Sequence, residues 1–183
     1  MNRACFQLIE DFLPESDAIL ETLLEEINWE EREIQIFGKI YNQPRLIAWQ
    51  GDLPYKYSGG TWSSKPFSKT VRLLKNVVEL KTETTYNGVL LNLYRNGKDS
   101  MGWHSDNEKE LGDNPMVASL SFGAERNFRI RSKPEKGDSF SIVLPNNSLL
   151  IMNPGFQKLY EHSLPKTTKS KGIRINLTFR KLY

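Results

Sequence analysis

The stretch Gly172-Ile173-Arg174-Ile175-Asn176-Leu177-Thr178-Phe179-Arg180 alternates almost without a break. On an extended chain Ile173, Ile175, Leu177 and Phe179 share one face, and Arg174, Asn176, Thr178 and Arg180 share the other. Alternation of this kind predicts a β-strand with one apolar face. The polar face is harder to account for as a wet surface. Asparagine is disfavoured in strands, and two arginines in one line need an anion between them. Arg174 and Arg180 are six positions apart, roughly 20 Å along a strand. Their side chains can lean inward from both ends, leaving a gap suited to a short dicarboxylate. Guanidinium forks grip carboxylates bidentately, which lysine cannot do.

Working back from this segment, short apolar runs predict strands near 88–95, 116–122, 126–131, 139–144 and 148–152. Turn chemistry separates them at Asn96-Gly97, Gly112-Asp113-Asn114-Pro115, Lys136-Gly137-Asp138 and Pro145-Asn146-Asn147. Many short strands at near-even spacing predict a mainly β, α+β fold: a double-sheet jelly roll or barrel with N-terminal helices packed outside. The first helix is expected between Ser16 and Trp29, where Ile19, Leu20, Leu23, Leu24 and Ile27 form one stripe. Ser16 or Asp17, after Pro14, is its expected N-cap. A second helix is expected after Pro66, with Val71, Leu74, Val77 and Val78 as its apolar face. Residues 32–62 are rich in Tyr, Gly and Pro and read as strands and loops. No repeat, low-complexity tract or linker interrupts the chain. The expectation is one domain over 1–183, comprising an acidic helical extension (1–33), a segment at 34–65 and a jelly-roll core (86–183).

The 183 residues carry 38% hydrophobic and 26% charged residues, the composition of an ordinary globule. No apolar run approaches the ~20 residues a bilayer span needs. The opening MNRACFQLIEDFLPE has acids in its apolar stretch and no small-residue cleavage site, so no signal peptide is read. Cys5 is the single cysteine, expected as a small buried hydrophobe; no internal disulfide can form, which suits a reducing compartment. The net charge of +3 conceals an asymmetry: residues 1–33 hold ten acids against Arg3 and Arg32. The other 150 residues therefore carry 23 basic and 12 acidic residues, a net of +11. From Ser163 onward there are six basic residues and no acid. A field of that sign steers polyanions, although many proteins have a solvated basic surface.

The chain has two histidines, His104 and His162. His104-Ser105-Asp106 sets an imidazole and a carboxylate two residues apart, on the same side of an extended segment. His162 follows the loop Asn153-Pro154-Gly155 and suits the third place of a two-His-one-carboxylate facial triad. Such a triad leaves three positions open on a six-coordinate iron(II), room for a bidentate cosubstrate and oxygen. Taken alone, H-x-D is weak. Asn92 and Tyr94 strengthen it: in Val89-Leu90-Leu91-Asn92-Leu93-Tyr94 they share a face and supply neutral hydrogen bonds.

The order Asn92-Leu93-Tyr94, His104-Ser105-Asp106, His162 and Arg174-Ile175-Asn176-Leu177-Thr178-Phe179-Arg180 resembles the AlkB family of iron(II)- and 2-oxoglutarate-dependent dioxygenases. Val117-Ala118-Ser119-Leu120-Ser121-Phe122-Gly123-Ala124, Ser148-Leu149-Leu150 and His162-Ser163-Leu164-Pro165 agree with it. The resemblance spans roughly residues 34–183 and points to the nucleic-acid dealkylating branch, the AlkB homologue two/three type. It implies a double-stranded β-helix. It also implies iron(II) on His104, Asp106 and His162, and 2-oxoglutarate on Asn92, Tyr94, Arg174 and Arg180, with Asn176 in support. Ile36-Phe37-Gly38-Lys39, Pro44-Arg45, Gly51-Asp52 and Tyr55-Lys56-Tyr57-Ser58-Gly59 resemble the family's nucleotide-recognition segment. By that likeness Tyr55, Tyr57 and Ser58 line a flipped-base pocket, Phe37 sits at a wedge that fills the stacking gap, and Glu108 contacts the base.

The implied reaction is oxidative removal of methyl groups from bases such as 1-methyladenine and 3-methylcytosine. Dioxygen and 2-oxoglutarate are consumed; succinate, carbon dioxide and formaldehyde are released. Alkylated DNA is the expected partner, with RNA, protein or lipid substrates as alternatives for the same chemistry. A binding module or a zinc hydrolase fits less well, because either leaves Arg174, Asn176 and Arg180 without a task. A monomer away from membranes is expected in an intracellular place, cytoplasmic in a bacterial host and with the nucleus open to it in a eukaryotic one.

Overall fold

The computed structural model describes residues 5–36, 39–57, 60–134, 138–169 and 171–183. The strands are β1 (Phe6–Ile9), β2 (Glu33–Ile36), β3 (Lys39–Asn42), β4 (Leu46–Gly51), β5 (Tyr55–Tyr57), β6 (Gly60–Trp62), β7 (Gly88–Tyr94) and β8 (Met101–His104). They continue as β9 (Val117–Gly123), β10 (Arg126–Ser132), β11 (Ser139–Leu144), β12 (Ser148–Met152), β13 (Tyr160–Leu164) and β14 (Arg174–Arg180). The helices are α1 (Ser16–Glu26), α2 (Lys69–Thr82) and the one-turn α3 (Phe156–Leu159). A six-stranded sheet runs β1-β12-β9-β14-β7-β4, and a four-stranded sheet runs β11-β10-β13-β8. Two hairpins, β2-β3 and β5-β6, stand beside them. Every described pairing is antiparallel, and together they form the double-sheet architecture expected from strand spacing.

The central strands are covered on both faces, which explains why β7 and β14 are buried at every position. On β7, Val89, Leu91 and Leu93 pack with Leu23 and Ile27 at the end of α1 and with Val71, Leu74 and Val78 of α2. Leu90, Asn92 and Tyr94 point the other way, into the space before the four-stranded sheet. Between the sheets, Val117, Leu150 and Met152 meet Phe128, Ile130, Leu144 and Leu164. Cys5 belongs to this cluster, as the small buried hydrophobe expected.

Several expectations need correction. α1 is not capped by Ser16 or Asp17: Glu15 is the N-cap, at φ 55, and makes no side-chain cap. The Ser16 hydroxyl is instead turned to Asn146, whose Nδ2 donates to it at 3.1 Å. α2 does have a side-chain cap, because Ser68 Oγ accepts from Val71 N. Val77 is 38% exposed rather than part of the buried stripe. At about 100° per residue it falls off the Val71-Leu74-Val78 line, toward exposed Leu73 and Leu80. Ile173 is also exposed, at 41%, because β14 begins one residue later. The segment 1–33 is more than a helical extension, since β1 pairs with β12 in the six-stranded sheet. Likewise β4, within 34–65, forms the opposite edge of that sheet against β7.

Candidate active site

His104 ends β8 and His162 lies mid-β13, and the antiparallel register sets them opposite each other. Their ring centroids are 4.1 Å apart. Asp106 follows β8 by two residues and brings Oδ2 to 3.9 Å from His162 Nε2. One ligand atom from each of the three lies within 4.8 Å of the others. The sequence pattern predicts neither β8 nor β13. Their apolar alternation is broken, and a register shift between His162 and Leu164 turns His104 and Met101 into the same cavity.

The surroundings fix these donors. The backbone N–H of Asp106 donates to Gln157 Oε1 at 2.9 Å, and Arg180 Nη2 donates to Asp106 Oδ1 at 2.7 Å. Ser105 Oγ ties the same turn to the Tyr160 carbonyl at 2.8 Å. His104 Nδ1 donates to the Gly102 carbonyl at 2.9 Å, which leaves Nε2 as the nitrogen available to a metal. Burial pushes His162 down to about 3, helped by His104, and burial likewise lowers His104. Both imidazoles are therefore neutral at pH 7, the form that binds metal. Burial alone would raise Asp106. The Arg180 guanidinium and the two imidazoles outweigh it and hold the carboxyl below the usual range. Two neutral imidazoles and an ionised carboxylate with a free oxygen fit a divalent iron.

The opposite wall comes from β14 and β7. Their register pairs Arg174 with Tyr94, Asn176 with Asn92, and Arg180 with Gly88. Arg174, Asn176, Thr178 and Arg180 are 3, 7, 6 and 2% exposed, so the polar face of this strand is interior. Together with Leu90, Asn92 and Tyr94 they line the cavity into which the triad opens. Arg174 Nη2 donates to Ser121 Oγ at 2.8 Å, and its guanidinium lies 5.3 Å from the Tyr94 ring centre. Asn176 Nδ2 donates to Ser119 Oγ at 2.7 Å. Burial lowers Arg174 to about 10, still a cation at neutral pH. Arg174 Nε, Arg180 Nε and Arg180 Nη1 are buried without hydrogen-bond partners among the described residues. Orphaned cationic donors facing a cavity fit a dianionic cosubstrate, which would satisfy them.

The residues expected at the base pocket are placed unevenly. Tyr55 is fully buried, stacked on Trp49 at 4.6 Å between centroids, with the Arg180 guanidinium 5.4 Å from its ring. Burial raises the Tyr55 phenol, which faces Glu108; burial also raises Glu108, against the pull of Arg180. This pair adjoins the cavity through Arg180. The backbone of Tyr57 lies in β5, opposite Gly60. Phe37 and Ser58 lie outside the described residues. Two site residues carried no sequence signal of their role. Gln157 is a buried glutamine in an unpredicted turn. Arg45 is 4% exposed and donates from Nε to Asn92 Oδ1 at 2.8 Å, which orients that amide.

Residues 6–180 match the sequence profile of the 2OG-Fe(II) oxygenase superfamily, well upstream of residue 34 where the resemblance begins. The alpha-ketoglutarate-dependent dioxygenase alkB homolog 3 of Homo sapiens is 46% identical over 178 residues, 92% of this chain and 62% of that protein. The DNA oxidative demethylase ALKBH2 of Homo sapiens is 38% identical over 180 residues, 92% of this chain and 69% of that protein. The chain thus spans about three fifths of the length of the alkB homolog 3 relatives it matches. Among solved structures, OsALKBH1 superposes with a TM-score of 0.69 at 16% identity, covering 97% of this chain and 98% of that one. A prolyl hydroxylase from Trichoplax adhaerens gives a TM-score of 0.68 at 14% identity, with 99% and 84% covered. At those identities the likeness is one of fold. Iron(II) and 2-oxoglutarate, with dioxygen as cosubstrate, are the cofactors of this superfamily and match the donor set described above. The chain belongs to the 2OG-Fe(II) oxygenase superfamily and, within it, to the AlkB family of dioxygenases.

Proposed function

We propose that the chain removes alkyl groups oxidatively from damaged bases in DNA, with RNA as a second polynucleotide substrate. The observation that carries the chemistry is one cavity with a His-Asp-His triad on one sheet and a buried arginine pair on the other. The substrate reading draws on relatives named for DNA demethylation and on the basic body of the chain. His104, Asp106 and His162 would hold iron(II). Arg174 would anchor the far carboxylate of 2-oxoglutarate, while Asn92 and Tyr94 would donate neutral hydrogen bonds and Asn176 would steady the row. Arg180 lies at the metal end, where it holds Asp106 Oδ1 and keeps that carboxylate ionised. When bound, iron(II) with 2-oxoglutarate and dioxygen supplies the oxidant that hydroxylates an N-methyl carbon, yielding succinate and carbon dioxide, and the hydroxymethyl group then leaves as formaldehyde. Leu90, Met101, Phe128, Met152 and Leu164 form the apolar part of the cavity wall and would limit water beside the reacting groups. Tyr55, Tyr57 and Glu108 would receive the base, the carboxyl favouring a lesion that carries positive charge.

Formaldehyde release from oligonucleotides bearing 1-methyladenine or 3-methylcytosine tests this reading, on single-stranded DNA, duplex DNA and RNA, with and without 2-oxoglutarate. Release that requires 2-oxoglutarate, and that His104→Ala abolishes while its circular dichroism stays native, is the expected result. No release from any of the three substrates overturns the reading; turnover retained by His104→Ala removes that residue from the metal site.

A further inference from the structure

Beside the cavity, the outward face of the four-stranded sheet carries a row of cations. On β10, Phe128 and Ile130 point into the core while Arg129 and Arg131 point outward, and the alternation continues past the strand to Lys133. Trp103, next to His104 on the edge strand β8, supports both arginines: their guanidinium carbons lie 5.3 and 4.4 Å from its ring centre. Glu161 braces Arg131 from the strand between them, accepting from Nε at 2.7 Å. Guanidiniums held on an aromatic face lose little freedom when they bind an anion.

The row leads into a groove of about 390 Å³ lined by Lys109, Lys133 and Lys158, with Asp113 as its one acid. Asn107 and Gln157 also line it; Asn107 follows the proposed iron ligand Asp106 in sequence, and Gln157 accepts from the Asp106 N–H. Arg129, Lys109 and Lys158 are exposed. Residues two apart on a strand are ~6.6 Å apart, close to the separation of successive phosphates in an extended single strand.

We propose that the run from Arg129 and Arg131 through Lys133 to Lys109 and Lys158 binds the phosphodiester backbone of nucleotides adjoining the one whose base enters the cavity. This rests on the nucleic-acid reading above and adds the path that the rest of the strand takes. Phosphate contacts of this kind position a polynucleotide without reading its sequence, and they release counterions, so binding weakens with salt.

The test is binding of a fluorescent fifteen-nucleotide methylated single strand by the full chain, measured across salt concentrations. The triple variant Arg129→Gln, Lys109→Gln, Lys158→Gln should bind roughly tenfold more weakly at low salt. Its slope of log K against log salt should be shallower by about 2, at ~0.7 for each phosphate left without its cation. Wild-type binding with an unchanged slope in the variant overturns the path but leaves the proposed reaction standing. A wild-type protein that binds no strand and releases no formaldehyde overturns both.

Discussion

Arg174 and Arg180 sit on the same face of the same strand and are equally buried, yet their surroundings divide them. Arg180 has an ionised partner in Asp106, and that pairing outweighs burial and raises its affinity for its proton. Among the described residues Arg174 has no carboxylate partner and rests on Ser121 and the face of Tyr94. A buried cation in that state is poised for an anion that arrives from outside. Arg174→Ala should therefore raise the 2-oxoglutarate requirement roughly ten- to hundredfold, the worth of ~1.5–3 kcal/mol for hydrogen bonds to a charged group. Gln157→Leu should act differently. It removes the acceptor of the Asp106 N–H, so iron affinity should fall roughly 10- to 100-fold while the 2-oxoglutarate requirement holds. Titrations of iron(II) and of 2-oxoglutarate on each variant distinguish these two effects; equal responses would merge the two roles.

At the scale of elements, the start of β7 matters because backbone and ring approach closely there. A Cβ at Gly88 would collide with Cη2 and Cζ2 of Trp49. Trp49 in turn stacks on Tyr55, whose phenol faces Glu108. Gly88→Ala should lower stability by ~1–3 kcal/mol in urea unfolding, as overpacked cores do. It should also weaken binding of the methylated strand, because the displaced indole disturbs Tyr55. A wild-type urea midpoint would show that Trp49 has room to move.

For the whole molecule, the burial of neutral imidazoles sets the response to acid. His162 has an ordinary value of 6.5 and is lowered to about 3 in the fold. Between those values the unfolded chain holds a proton there that the folded chain does not, so folding stability falls as pH drops from 6.5 toward 3. Above 6.5 this group contributes no slope. Asp106, also lowered in the fold, adds to the loss below its ordinary 3.8. Chelator-treated protein should therefore show a urea midpoint that declines steadily below pH 6.5, and His162→Phe should flatten the limb between pH 6 and 4. An unaltered limb would place the acid sensitivity elsewhere.

What could be read from the chain alone was whatever repeats along it. The alternation of β14, the apolar stripes of both long helices and the pairs Asn92–Tyr94 and His104–Asp106 are local patterns with periods that backbone geometry dictates. They predicted a mainly β fold, which the two sheets bear out, and supplied the residue types that an iron and diacid site would need. Local pattern also revealed that β14 has two unlike faces and that its polar face makes a poor wet surface, but not what covers that face. Only the four-stranded sheet, closing over Arg174, Asn176, Thr178 and Arg180, made that face interior. The pairing of His104 with His162 and the hydrogen bonds from Gln157 and Arg45 were likewise decided by tertiary structure. A strand's partner, and the angle at which a bulge turns a side chain, depend on contacts between residues far apart in sequence, and those exist only once the sheets have met.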